Sequence, residues 1–196
     1  MADGLLYRGM NPNAMPQSAP TLVTDRLTLT GHALGDFADS AAMWGDAHVV
    51  RHIGGRPFTE EECWARLLRY AGLWPLLGHG FWAVRETASG RFVGEVGFAD
   101  FRRDLDPPFG DVPEAGWALA PWAHGQGFAA EALRAVIAWG DARFGGARTV
   151  CMIDPENAPS IRLATRFGYR EYARTNFKGS STILFERVPG RNPVAK

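Results

Sequence analysis

Apolar positions along the chain switch between two periods, and the switches divide it into elements. Leu27 and Leu29 alternate with polar neighbours over residues 26–30, which predicts a half-buried strand. Leu34, Phe37, Ala41 and Trp44 then recur at helical spacing, so a strand leads into a helix. Thr59 and Glu62 read as a capping box, in which each side chain satisfies a free backbone N–H at a helix start. With the apolar stripe Cys63, Leu67, Ala71 and Trp74 behind it, the box predicts a second helix over 60–74. Residues 81–85 and 91–101 flank the polar Thr87-Ala88-Ser89-Gly90, a turn composition that predicts an antiparallel hairpin.

A loop over 104–113 carries Pro107, Pro108 and Pro113, and 115–120 follows as a short apolar strand. Leu133, Val136, Ile137, Gly140 and Phe144 share one helical face that ends at Gly145-Gly146. A strand over 149–153, a short helix over 160–167 and a closing hairpin from 169–173 and 182–188 complete the chain. The order β-α-α-β-β-β-α-β-α-β-β predicts an α/β (α+β) domain whose mixed sheet carries helices on its faces. Residues 1–20 read as a loose arm, 21–190 as one domain and 191–196 as a tail.

Composition narrows the function classes. Twenty-one basic and 21 acidic residues leave a formal net charge of zero, and no run of Lys or Arg is present to track a phosphate backbone, so no direct nucleic-acid partner is expected. No stretch of about eighteen apolar residues suggests a membrane span. Cys63 and Cys151, far apart and without a CxxC pair, indicate neither a disulfide framework nor a zinc cluster. A cytoplasmic protein without a metal is expected.

The strongest chemical signal is Gly125-Gln126-Gly127-Phe128-Ala129-Ala130. Glycines let backbone amides approach an anion where a helix N-terminus presents free N–H groups and a partial positive charge. The segment also fits a G-x-G-x-x-A dinucleotide fingerprint, with Asp154 where an acidic ribose ligand would stand. A nicotinamide-dependent oxidoreductase is therefore one alternative. Against it, the loop comes late in the chain, and Pro121-Trp122-Ala123-His124 separates it from the preceding strand. No Gly-Lys-Ser or Gly-Lys-Thr follows, so a P-loop is not supported.

The chain resembles the GNAT superfamily of N-acetyltransferases, and is similar to its RimJ and RimL branch, which acetylates ribosomal-protein N-termini. The resemblance runs from about Thr21 to Val188. It is carried by Leu22-Val23-Thr24-Asp25-Arg26-Leu27, by Glu114-Ala115-Gly116-Trp117-Ala118-Leu119 leading into the glycine loop and Glu131-Ala132, and by Asn157-Ala158-Pro159-Ser160 followed by Phe167-Gly168-Tyr169. It implies a mainly antiparallel central sheet and acetyl-CoA as cosubstrate. By the resemblance, the backbone of Trp117, Ala118 and Leu119 would hold the pantetheine. Amides of Gly125, Gln126, Gly127, Phe128, Ala129 and Ala130 would hold the pyrophosphate, and Asn157 and Ser160 would lie beside the pantetheine arm and sulfur. His124 stands where the superfamily carries Arg or Gln, so its side chain is not assumed to touch phosphate. Ala164 stands where many members carry the tyrosine that protonates the thiolate, and Ser160 is the nearest replacement.

The acceptor implied is a primary amine, either a protein or peptide N-terminus or a small molecule, and a homodimer is admitted. An α-amine, with a pKa of about 7.7–8.0, is partly neutral at cytosolic pH and needs only a modest carboxylate base. Glu114, which opens the strand before the loop, is the candidate base, set against an exposed structural glutamate. Ser160 is read both as a hydrogen-bond donor to the sulfur and as the N-cap of its helix. A backbone N–H near Leu119 would serve the oxyanion. A non-catalytic acyl-CoA-binding module remains the other alternative. His48 and His52 have i,i+4 spacing but no third ligand in sequence, and Trp44, Trp64, Trp74 and Trp82 read as core or rim aromatics.

Overall fold

A computed structural model describes residues 18–190. Eight strands form one sheet in the order β1-β2-β3-β4-β5-β6-β8-β7, where β1 is Leu22–Val23, β2 Leu27–Gly31, β3 Phe81–Glu86, β4 Phe92–Ala99, β5 Glu114–Leu119, β6 Thr149–Ile153, β7 Arg170–Phe177 and β8 Ser180–Arg187. Neighbours run antiparallel except β5 and β6. The helices are α1 Phe37–Trp44, α2 Ala47–Val50, α3 Glu60–Leu77, α4 Phe128–Arg143 and α5 Ala158–Arg166. The doubly wound parallel sheet that a dinucleotide fold requires is therefore not what this chain forms.

The predicted elements are present, and α3 shows why. Thr59 Oγ1 accepts from Glu62 N at 3.2 Å and Thr59 N donates to Glu62 Oε2 at 2.8 Å, so the box closes. The helix continues past Trp74 through Pro75 to Leu77 and stops at Gly78, whose φ of 68° is the left-handed cap. Neither β1 nor the one-turn α2 is expected from periodicity, because each is too short to show a period. Asp46, whose carboxylate accepts from His48 N at 2.8 Å, starts α2 instead. The loose arm was expected through residue 20, yet Pro20 O accepts from Trp82 Nε1 at 2.7 Å and Ala19 packs on the core. Residues 1–17 and the expected tail over 191–196 lie outside the described residues.

Strand alternation sends side chains to two layers. Leu27, Leu29, Val84, Val96 and Phe98 meet Leu133, Val136 and Ile137 of α4. On the opposite face, Ala83 and Ala118 meet Met43 and Trp44 of α1 and Cys63 of α3, while Tyr70 of α3 stacks on Phe81. Trp74 and Trp82 are buried with Trp44, whereas Trp64 is 42% exposed.

Candidate active site

The parallel strands β5 and β6 share a single registered pair, Glu114 with Val150. Val150 N bonds Pro113 O at 3.0 Å on one edge of β5, and Ala120 N bonds Val93 O at 2.9 Å on the other. By the two-residue alternation of a strand, Trp117 and Leu119 turn their main-chain groups to the β6 side, where no further pairing follows. Ala118 between them lies opposite Glu95 in the β4 ladder. The Leu119 carbonyl is free of the sheet, and His124 Nε2 stands 2.9 Å from it. His124 thus turns its ring to the strand, which suits a position not assumed to touch phosphate.

At the open end of this gap lies the glycine loop. Gly125 and Gly127 take φ of 75° and 80°, a region costly for residues with a Cβ. A Cβ at Gly125 would meet nothing within 4 Å, and one at Gly127 only Arg26 Nη2 at 3.5 Å, so the approach is open. The first helical bond of α4 is Glu131 N to Gly127 O at 3.1 Å, and no side chain caps the helix. The amides of Phe128, Ala129 and Ala130 are therefore left at the positive end of a 16-residue helix, an arrangement that fits a diphosphate.

Arg26 supports this loop and was not read as a site residue from sequence. Its Nη1 donates to Gln126 O at 3.1 Å and its Nε to Glu131 Oε2 at 2.7 Å, and its guanidinium lies 4.5 Å from the Phe128 ring centroid. Thr24 Oγ1 adds a 2.6 Å bond to Glu131. Partial burial works against the Glu131 carboxylate, but the bonds from Thr24 and Arg26 outweigh it and hold its pKa below the ordinary value. The negative charge in the first turn is thereby neutralised. The only sequence signal was the opening Thr24-Asp25-Arg26 motif.

Glu114 stands at the pinned end of β5. It is 5% exposed, not the exposed glutamate of the competing expectation, because the loop before Pro113 folds over the strand start. Arg103 holds both carboxylate oxygens, Nε to Oε2 at 2.6 Å and Nη2 to Oε1 at 2.9 Å. Burial pushes the Glu114 carboxyl above the usual carboxylate range, and Asp100 adds to this while Arg103 opposes it. Glu114 lines a cavity of ≈ 310 Å³ together with Asp100, Phe101, Arg103, Phe109 and Asp111.

Ser160 is not the N-cap of its helix. Asn157 is, since its Oδ1 accepts from Ser160 N at 3.2 Å, which places Ser160 three residues into α5. Proline at the second helical position displaced the expected start, because the helix begins before it at Ala158. Ser160 Oγ accepts from Trp117 Nε1 at 3.2 Å, so the structure brings these two candidates together across the gap and leaves the hydroxyl proton to donate elsewhere. Trp117 and Glu114 have opposite parity on β5, so Glu114 and Ser160 approach from opposite faces of the sheet.

Glu95 was missed, although one charge inside Phe92-Val93-Gly94-Glu95-Val96-Gly97-Phe98 is a readable anomaly. Fully buried, it accepts from Ser40 Oγ at 2.7 Å and Trp44 Nε1 at 2.8 Å, with His32 Nε2 at 3.3 Å. Burial opposes its charge, but His32, Ser40 and Trp44 win and lower its pKa. It ties α1 to the sheet. His48 and His52 part company: His48 faces Asp46, and His52 Nδ1 lies 3.4 Å from Asp154 Oδ2. Among the described residues, His52, Asp154 and Glu156 form the one group with ligand atoms within 4.8 Å of one another.

Strands that part beside a glycine-rich helix N-terminus, with a buried carboxylate at the joined end, make a cleft that fits a ligand bearing a diphosphate. The sequence pattern of the acetyltransferase (GNAT) domain matches residues 26–170, and the chain belongs to that family. A candidate GnaT-family acetyltransferase from Bordetella pertussis is 38% identical, with a TM-score of 0.77 over 87% of this chain and 100% of that one. The uncharacterized N-acetyltransferase p20 of Bacillus licheniformis is 27% identical over 77% of this chain and 83% of its own length. RimL, the ribosomal L7/L12 α-N-protein acetyltransferase, shares the fold at 16% identity, with a TM-score of 0.67 over 86% of this chain and 94% of that one.

Proposed function

We propose that this chain moves an acetyl group from acetyl-CoA to a primary amine, with the α-amine of a peptide or protein N-terminus as the favoured acceptor. The observation that carries the reading is the gap beyond Glu114 and Val150, bordered by the main chain of Trp117 and Leu119, which has no strand partner on that side, and ending at the amides of Gly125–Ala130. A thioester group bound there would have its diphosphate at the loop and its acyl end toward Glu114, since five residues of strand span about 17 Å. RimL, which shares the fold, acts on an α-amine.

The residues divide the work. The neutral amine nitrogen forms a bond to the thioester carbonyl carbon, the carbon–sulfur bond breaks, and the proton of the resulting ammonium passes to Glu114, directly or through water. Ser160 donates a hydrogen bond to the departing thiolate. Positioning supplies most of the rate, because the thioester is already activated. Glu114 and Ser160 also favour catalysis over a module that only binds acyl-CoA. The test is thiol release from acetyl-CoA with two matched peptides, one with a free N-terminus and no lysine, the other N-blocked and carrying lysine. Faster release with the first supports the reading; equal turnover removes the α-amine preference, and no release with any amine removes the enzyme.

A further inference from the structure

We propose that His52 and Asp154 form a clasp over the pantetheine arm of the donor, one that opens to admit acetyl-CoA and closes to hold it while the acceptor reacts. The inference rests on the acetyl-transfer reading and adds to it the residues that retain the donor.

The gap between β5 and β6 is crossed twice, once on each face of the sheet. On the α4 face, Trp117 Nε1 reaches Ser160 Oγ at 3.2 Å, where Ile161 and Ala164 of α5 join the core around Leu133 and Val136. On the α1 face, Val49 and Val50 of α2 and the following Ile53 share an apolar cluster with Ala118 and Ala120, so this segment sits over the end of β5. From there His52 Nδ1 comes within 3.4 Å of Asp154 Oδ2, and Asp154 directly follows β6. Asp154 lies four residues beyond Val150, as Ala118 lies four beyond Glu114, so the contact crosses the strands where they have already parted. A chain-like ligand lying between the strands is thereby enclosed from both faces.

The two crossings differ in what holds them. Trp117 belongs to a strand and Ser160 to a helix packed on the core. His52 belongs to a turn over residues 51–56, tied at its start by Ile53 N and Gly55 N on Val50 O, at 2.8 and 3.0 Å, and beyond its end by Phe58 N on Trp44 O at 3.1 Å. Within it Gly54 and Gly55 take φ of 87° and 73°, and a Cβ at Gly55 would meet nothing within 4 Å, so the turn has room to move. Glu156 N donates to Asp154 Oδ1 at 2.7 Å, which leaves Oδ2 for His52. The His52 and Asp154 side chains are 20% and 29% exposed, and a single contact between partly exposed groups is weak enough to break as a ligand enters or leaves. The pantetheine arm is slender but ends in a bulky nucleotide, so it enters from the side, and the His52 crossing is the one that parts.

The test is the dissociation rate of CoA from the unmodified protein, His52→Ala, Asp154→Ser and the double variant, read by surface plasmon resonance. Serine keeps an oxygen for Glu156 N but is too short to reach His52. Each single variant should release CoA about fivefold faster. The double variant should release it no faster than either single one, because the two residues act through one contact. ADP, which carries the diphosphate without the arm, should bind all four proteins equally. Unchanged CoA dissociation in both single variants, additive acceleration in the double one, or the same loss with ADP would overturn the clasp. Failure of the unmodified protein to bind CoA would remove the donor site and the clasp together. Coupled loss of CoA retention in a protein that acetylates no amine would support the clasp while removing the proposed activity.

Discussion

The two ends of β5 are built from different materials. At the glycine loop the hydrogen-bonding groups on offer are backbone amides, and side chains such as Arg26 hold them in place. At Glu114 the groups are side chains, set by a fork of charge-assisted bonds in a nearly buried place. A ligand shared by every turnover can be held by main chain that no substitution removes. An acceptor bound beside Glu114 would, by contrast, be read by side chains. Most substitutions should therefore leave donor binding intact and alter the acceptor end.

The substitution that breaks the comparison hardest is Glu114→Gln. It keeps the shape but removes the proposed base, and turnover should fall by about a hundred- to ten-thousandfold while CoA affinity stays within about threefold. Stopped-flow thiol release and calorimetry on one preparation check both halves. In the unmodified enzyme the rate should rise with pH through a value above the ordinary glutamate pKa of about 4.3, because the base must be ionised. The same raised pKa means the native state binds more protons than the unfolded chain across that window. Stability from this group therefore declines as pH rises through it.

Glu95 sharpens the contrast by being a carboxylate with a structural task. Glu95→Ala strands His32, Ser40 and Trp44 without their partner, and should cost about 3–5 kcal/mol in denaturant unfolding. Its shift has the opposite sign: with a lowered folded pKa, its stabilisation is present above the unfolded glutamate value and is lost as pH falls through the folded one. Acid titration of the unmodified protein and of Glu95→Gln should differ in that low-pH limb.

At the donor end, saturating CoA at about a hundred times its dissociation constant should add about 2.7 kcal/mol and raise Tm by several degrees. NAD should give no shift. Gly127→Val should abolish the CoA shift yet fold, since φ of 80° and the close approach both oppose a β-branched residue. Retained CoA affinity in a folded Gly127→Val protein would remove this loop as the diphosphate site. The smallest effect is expected from Ser160→Ala, about tenfold or less in kcat with CoA binding unchanged. Asn157, not Ser160, caps α5, so thermal stability should hardly move.

Local signals in the sequence were sufficient for the elements and for the glycine loop that opens α4. Thr59 and Glu62 are three residues apart, and the loop glycines are two apart, so chain connectivity alone brings the groups together. The capping box, the end of α4 and the positive φ of Gly125 and Gly127 all follow from such short-range chemistry. Family resemblance placed Trp117 and Ser160 in one site, and their 3.2 Å contact across 43 residues agrees.

What required the tertiary structure is every partner distant in sequence and indifferent to period. Arg26 meets Glu131 across 105 residues, and Glu95 meets Ser40 across 55. Glu114 could be named as a candidate, but whether it was exposed or buried depended on a proline-bearing loop with no periodicity to read. Backbone conformation answers to near neighbours along the chain. Burial and ion pairing answer to whatever the fold carries into contact, and that is why the glycine loop was legible in the sequence and the Arg103–Glu114 fork was not.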